Sequence, residues 1–330
     1  MAGRRLALVR RFVSFVFPDI VGFVPANTPL VRPAPGSPMG ILVPELVALH
    51  GRIGPSLLRF FLAVAPYLGR TAYRSRESRK SVARNPRRPQ EVADARFFQE
   101  LEERARALGV SAVGYTQVPR AYIFRNRTLL FPNAVVLLMD MRKDRIAKAP
   151  GLAAGKEVWR TYAALTEAAY HLAEFMRAQG YAAQPDPPVG GSVNFPLLAQ
   201  KAGLGYIGKH GLLISEPAGP SQRIAAVYTN ITNLPYTDQG GLAYAWIPEF
   251  CEMCNRCVRA CPAGAIHREP DMREGGPRQC IDPHKCVVVF SQAYGCSICI
   301  KACPFFRGDF SRLKGALPRK ARPQVVQEGA

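Results

Sequence analysis

"CEMCNRCVRACP", residues 251–262, has the spacing C-x2-C-x2-C-x3-C-P. Three thiolates on one short loop, Cys251, Cys254 and Cys257, can hold three corners of a cubic iron–sulfur cluster, and the fourth cysteine of such a run serves a second cluster. The pattern returns in "CVVVFSQAYGCSICIKACP", which carries Cys286, Cys296, Cys299 and Cys303. By the crossover rule, cluster one takes Cys251, Cys254, Cys257 and Cys303. Cluster two takes Cys261, Cys296, Cys299 and one more thiol, either Cys286 or Cys280. We prefer Cys286, because "DPHKC" leaves only nine residues between it and Cys296. All nine cysteines lie between Cys251 and Cys303. A disulfide framework would spread through a small secreted chain, and zinc sites favour two separated pairs. The expectation is therefore two [4Fe–4S] clusters in a bacterial ferredoxin-like module over residues 249–308.

Just upstream, "KAGLGYIGKHG", 201–211, contains a literal G-x-G-x-x-G at Gly203, Gly205 and Gly208. A dinucleotide-binding turn needs a strand before it, a helix after it and an acidic residue about 20 positions on. Here "NFPLLAQKA" reads as helix before the glycines, "GLLISEP" reads as a short strand after them, and Ala225 to Asn230 hold no carboxylate. The order is reversed, so NAD is excluded as the reason for the glycines.

Residues 91–248 read as a mixed α+β domain. "EVADARFFQELEERARALG" has helical periodicity and a glycine stop, and "VSAVGYT", "NAVVLLMDM" and "RIAAVYTN" read as strands. After Pro150-Gly151 a long helix runs to about Gly180, its Val158, Tyr162, Leu165, Ala169, Leu172 and Met176 forming one apolar stripe. Residues 1–90 read as a basic N-terminal extension and linker, with 15 basic and 3 acidic side chains, or +12 of the chain's net +20. Within them "RTAYRSRESRKSVARNPRRPQ" reads as a linker or surface strap, and 309–330 as a basic tail. Such a balance suits an acidic partner: a phospholipid surface, RNA or an acidic electron donor. No apolar run approaches the ~20 residues of a spanning helix. No cleaved signal is read either, so the expectation is a cytoplasmic chain, with peripheral contact at the inner membrane open to the basic arm.

The succession "AGLGYIGKHGLLI", "RIAAVYTNITNLPY" and "FCEMCNRCVRACPAGAI" resembles the corrinoid-dependent iron–sulfur reductases, namely reductive dehalogenases and epoxyqueuosine reductases, over roughly residues 92–306. That resemblance implies a nitroreductase-like, corrinoid-binding domain ahead of the two-cluster module. It implies cobalamin held near Gly203, Leu204, Gly205, Tyr206, Gly208 and Lys209, and electrons from a low-potential donor such as ferredoxin, flavodoxin or a reductase. By resemblance to the dehalogenases, Tyr162, or failing that Tyr170, would protonate a small-molecule substrate, with Asn194 and Arg223 in support. A phenol of ordinary pKa ~10 needs such a cation nearby to donate.

The epoxyqueuosine reductases instead use an Asp in an Asp-Ser-Ala-Pro context, where this chain has "VGGSVNFP" and its nearest carboxylate is Asp186. The leading expectation is thus reductive cleavage of the dehalogenase-like kind. A tRNA reductase is the less favoured alternative. A non-catalytic electron-transfer or assembly protein is the reading from a different class.

Overall fold

A computed structural model of the chain describes residues 9, 11, 13, 17–40, 43–52, 54–271 and 279–317. The basic tail is described only as far as residue 317, and residues 318–330 lie outside the described residues.

The centre is a four-stranded antiparallel sheet in the order β1-β2-β6-β3, with β1 Ala112–Gln117, β2 Asn133–Asp140, β3 Ala183–Asp186 and β6 Gln222–Thr229. All of β2 but Asp140 is buried, as its unbroken apolar run requires of a strand covered on both faces. One face of the sheet, Val135, Leu137, Met139, Ala225 and Val227, packs on Leu165, Ala169, Leu172 and Met176 of the long helix α4 (Leu152–Ala178). The opposite face, Ala134, Val136, Leu138, Ala226 and Tyr228, packs on Leu198, Ala199 and Ala202, in and just after α5 (Phe195–Lys201). Helix α3 (Ala95–Ala107) is started by the Asp94 side chain, which accepts from the Phe97 N–H at 2.7 Å, and is closed by Gly109 at φ +84°. The expected helices and strands of the 91–248 domain are all present, and the fold class is α+β.

The first 90 residues correct the reading of an extension and linker. After the short α1 (Val43–His50), α2 runs from Pro55 to Lys80 and lies along α4. Its second half holds residues 70–80, the first part of the stretch read as a linker or surface strap. Thr71, Ser75, Ser78 and Arg79 recur at helical spacing and are buried. Arg79 lies 3.7 Å from the fully buried Asp186 at the end of β3, and it also donates to the Gly190 carbonyl. Eight basic residues around this face made it look solvated; the partner that buries one of them is about a hundred positions away.

After β6, α6 (Ile247–Cys254) and α7 (Arg256–Ala260) carry the first cysteine run, the hairpin β7 (Ile266–Asp271) and β8 (Gln279–Ile281) follows, and α8 (Pro283–Gln292) and α9 (Ile298–Ala302) carry the second. The module sits against the sheet domain at close backbone contacts. A Cβ on Gly155 of α4 would lie 2.4 Å from the Tyr294 carbonyl oxygen, and one on Gly219 would lie 2.2 Å from that of Phe305. Only glycine tolerates such approaches.

Candidate functional site

Cys251 lies within α6 and Cys254 ends it, Cys257 lies in α7 and Cys303 follows α9, and these four line one small cavity. Asn255 between the two helices has φ 48°, which turns the chain sharply enough for the first three cysteines to share that space. The floor beneath is aromatic: Phe305 packs 5.1 Å from Phe250, 5.4 Å from Trp246 and 5.0 Å from Phe310, ring centre to ring centre. Burial in this floor pushes the Cys251 thiol up to about 11 and raises Cys303 further.

Four other thiols form a second group. Burial, followed by the charges of Cys296 and Cys261, pushes Cys286 up to about 11. Burial and the neighbouring Cys296, Cys286, Cys257 and Cys261 push Cys299 to about 12. Cys261 receives the Ala265 N–H on its sulfur at 3.3 Å.

Thiols raised in this way hold their protons unless a metal centre stabilises the thiolates. Among the described residues, no three His, Cys, Asp or Glu side chains converge as a single ion would require. Four thiols on one cavity and four more close enough to feel one another's charge are the donor type that cubic iron–sulfur clusters take. Cys280 stands elsewhere: its Cβ is 3.2 Å from where a Gly211 Cβ would be, on the wall of the cleft described next.

That cleft has a volume of about 830 Å³. One wall is the short hairpin β4 (Tyr206–Ile207) and β5 (Leu213–Ile214) with α5, one is the segment Gln279 to His284, and one is Pro38, Met39 and Leu46 of the N-terminal region. Asn194 lines it while capping α5, its side chain accepting from the Leu197 N–H at 3.3 Å. Gln200 accepts from Ile207 N–H at 2.9 Å and ties helix to hairpin. The glycines owe much to the hairpin itself, since a Cβ at Gly205 would meet the Ile214 carbonyl oxygen at 2.3 Å and one at Gly208 the Ile214 Cδ1 at 2.6 Å. Gly203, at φ +71°, follows the end of α5, and Leu204 packs against the sheet core. The mostly apolar walls with a few amides suit a large, flat, organic cofactor.

The other expected residues are not gathered here. Arg223 does lie over the Tyr162 ring, with its guanidinium carbon 4.9 Å from the centroid, and its Nε is buried with no hydrogen-bond partner among the described residues. However, Arg223 pairs with Met139 across the β2–β6 ladder and so shares the α4 face of the sheet, while Asn194 and the hairpin are on the α5 face. Tyr170 is farther off, accepting from Arg84 at 2.9 Å with Arg74 stacked 4.3 Å above its ring. The four-residue set Tyr162, Tyr170, Asn194 and Arg223 is thus split between two faces, because matching along one helix says nothing of which face points at the cleft.

Lys209 also departs from expectation. It is buried, its ammonium bonds Glu252 at 2.6 Å and Asn255 at 3.0 Å, and its backbone N–H is directed at the Cys251 sulfur. It serves the first thiol ring rather than the cleft. Asp186, the carboxylate nearest in sequence to the hairpin loop, is buried in the interior, where it accepts from Tyr228 and Ser192 and lies 3.7 Å from the Arg79 guanidinium. His210, unassigned by sequence, is 4% exposed and kept neutral by burial, with its pKa lowered to about 4.

Residues 250–306 match the 4Fe-4S dicluster domain family, so the C-terminal module is of the kind that carries two [4Fe–4S] clusters. The chain is 29% identical over 204 residues to a tetrachloroethene reductive dehalogenase of Desulfitobacterium hafniense, covering 56% of this chain and 36% of that one. It is 31% identical over 128 residues to an epoxyqueuosine reductase of Listeria monocytogenes, covering 36% of this chain and 31% of the relative. A solved reductive dehalogenase, described with a mechanism for B12-dependent dehalogenation, has the same fold over 76% of this chain and 38% of its own, with TM-score 0.64 and 21% identity. The resemblance to these two groups of reductases therefore holds. The chain spans about a third of the length of these curated relatives.

Proposed function

We propose that this chain is an iron–sulfur reductase of the reductive-dehalogenase-like kind, using a corrinoid in the 830 Å³ cleft and electrons relayed through two [4Fe–4S] clusters. The observation that carries the proposal is the cleft's place. It is walled on one side by the 206–214 hairpin and on another by the segment entering the second cysteine run, so a bound cofactor would lie within reach of the cluster ligands. A cobalt corrinoid, when bound, supplies a low-potential reductant for cleaving a carbon–heteroatom bond. The chain's own part is to hold that cofactor with Asn194, Gln200, Tyr206 and Ile207 and to exclude water with the apolar walls.

The sheet domain over 91–248 and the module over 249–308 are the two working parts, and the N-terminal residues complete the cleft. Electrons would come from an acidic low-potential carrier, ferredoxin or flavodoxin in type, to which the basic surface is complementary. No helix among the described residues is long and apolar enough to cross a membrane. The exposed Leu58, Phe61 and Leu62 of α2, set among basic residues, favour peripheral contact at the inner membrane.

Protein made anaerobically with cobalamin supplied should hold about eight iron and one cobalt per chain, as expected of two cubic clusters and one corrinoid. It should then reduce a member of a panel of organohalides. Full iron with no retained cobalt would turn the reading to electron transfer alone, and zinc in place of iron would sink it.

A further inference from the structure

We propose that His210 donates a hydrogen bond from Nε2 to the cluster held by Cys251, Cys254, Cys257 and Cys303, and so sets that cluster's reduction potential. The Leu212 N–H donates to His210 Nδ1 at 3.1 Å, which leaves Nδ1 without a proton and puts the imidazole proton on Nε2. That Nε2 is buried and has no hydrogen-bond partner among the described residues. A buried donor without an acceptor is destabilising, so the site is incomplete as protein alone.

His210 lines the cavity of those four cysteines and also lines the large cleft; among the described residues no other borders both. Its neighbour Lys209 already aims a backbone N–H at Cys251 and an ammonium into the same region. The turn at 208–210 is therefore a donor-bearing surface turned toward sulfur. Hydrogen bonds to cluster sulfurs stabilise the reduced, more negative state and raise the potential. Placed between cluster and cleft, the imidazole would hold the first cluster at a potential suited to passing electrons across.

This rests on the cluster assignment, and the test separates the two. Full-length chain is assembled anaerobically as wild type, His210→Phe and His210→Gln. Iron is counted, and each cluster's midpoint is followed by EPR-monitored redox titration. Phe keeps the ring's bulk without the donor; the Gln amide restores a donor at similar reach.

The expected result is full iron in all three proteins. In His210→Phe the midpoint of one cluster falls by about a tenfold loss in its reduction equilibrium, ~59 mV for one electron, and in His210→Gln most of it returns. Full iron with unmoved midpoints, or an equal shift in both clusters, would overturn the role of His210 alone. Wild-type chain that takes up no iron would overturn the cluster assignment and the proposal with it.

Discussion

At the scale of single residues, the choice between Cys286 and Cys280 as ligand is the most testable. Cys286 shares its electrostatic environment with Cys261, Cys296 and Cys299, whereas Cys280 borders Gly211 and the cleft. Cys286→Ala should lower iron from about eight to about four per chain and remove one cluster's EPR signal, while Cys280→Ala keeps both. The reverse pattern would reassign the ligand.

The two-cluster module was legible in the sequence because its cysteine spacing is dictated by a rigid inorganic geometry, while the choice between Cys286 and Cys280 stayed open. The catalytic candidates were less so. Tyr162 and Arg223 do meet, but on the α4 face of the sheet, and a strand's alternation assigns faces only once its partners are known. His210 was missed because its signal is the absence of an acceptor, which only burial and tautomer reveal.

At the scale of elements, α2 is the correction with the clearest physical cause. A run with eight basic residues between Arg70 and Arg88 looked exposed, yet α2 inserts Arg79 beside Asp186, which Tyr228 and Ser192 also hold. Removing one partner of a buried pair leaves the other charge uncompensated. Arg79→Met should therefore cost about 3–5 kcal/mol in denaturant unfolding. Arg79→Met combined with Asp186→Asn should cost clearly less than the two single changes added together. Strict additivity would mean that the pair does not pin α2 to the sheet. The helices α3 and α4 were readable because their own periodicity and caps define them; α2 hides an interior ion pair behind a polar composition.

At the scale of the whole molecule, the net charge of +20 and the basic residues Arg256, Arg259, Lys285 and Lys301 around the clusters give the module face a positive field. Steering by such a field speeds encounter with an acidic carrier and is screened by salt. The rate at which a reduced, acidic ferredoxin delivers electrons to the clusters should fall about tenfold or more between low and high ionic strength. A rate indifferent to salt would argue for a neutral or apolar donor. The α+β class and the module's position could be read from the sequence. The cleft could not, since its walls come from Pro38, Met39 and Leu46, from residues between 194 and 212 and from residues 279–284, which only the fold brings together.

The interleaving of the two cysteine runs has a consequence for biosynthesis. Cys303, from the second run, closes the ring begun at Cys251, and Cys261, from the first, joins the thiols of the second. A growing polypeptide therefore has neither metal centre complete until the end of the second run, Cys299 for one and Cys303 for the other, has left the ribosome, by which time the sheet and its helices have already been synthesised. Cofactor delivery is thereby placed after the synthesis of the domain it will serve. Any delivery machinery meets a largely synthesised dock rather than a nascent loop.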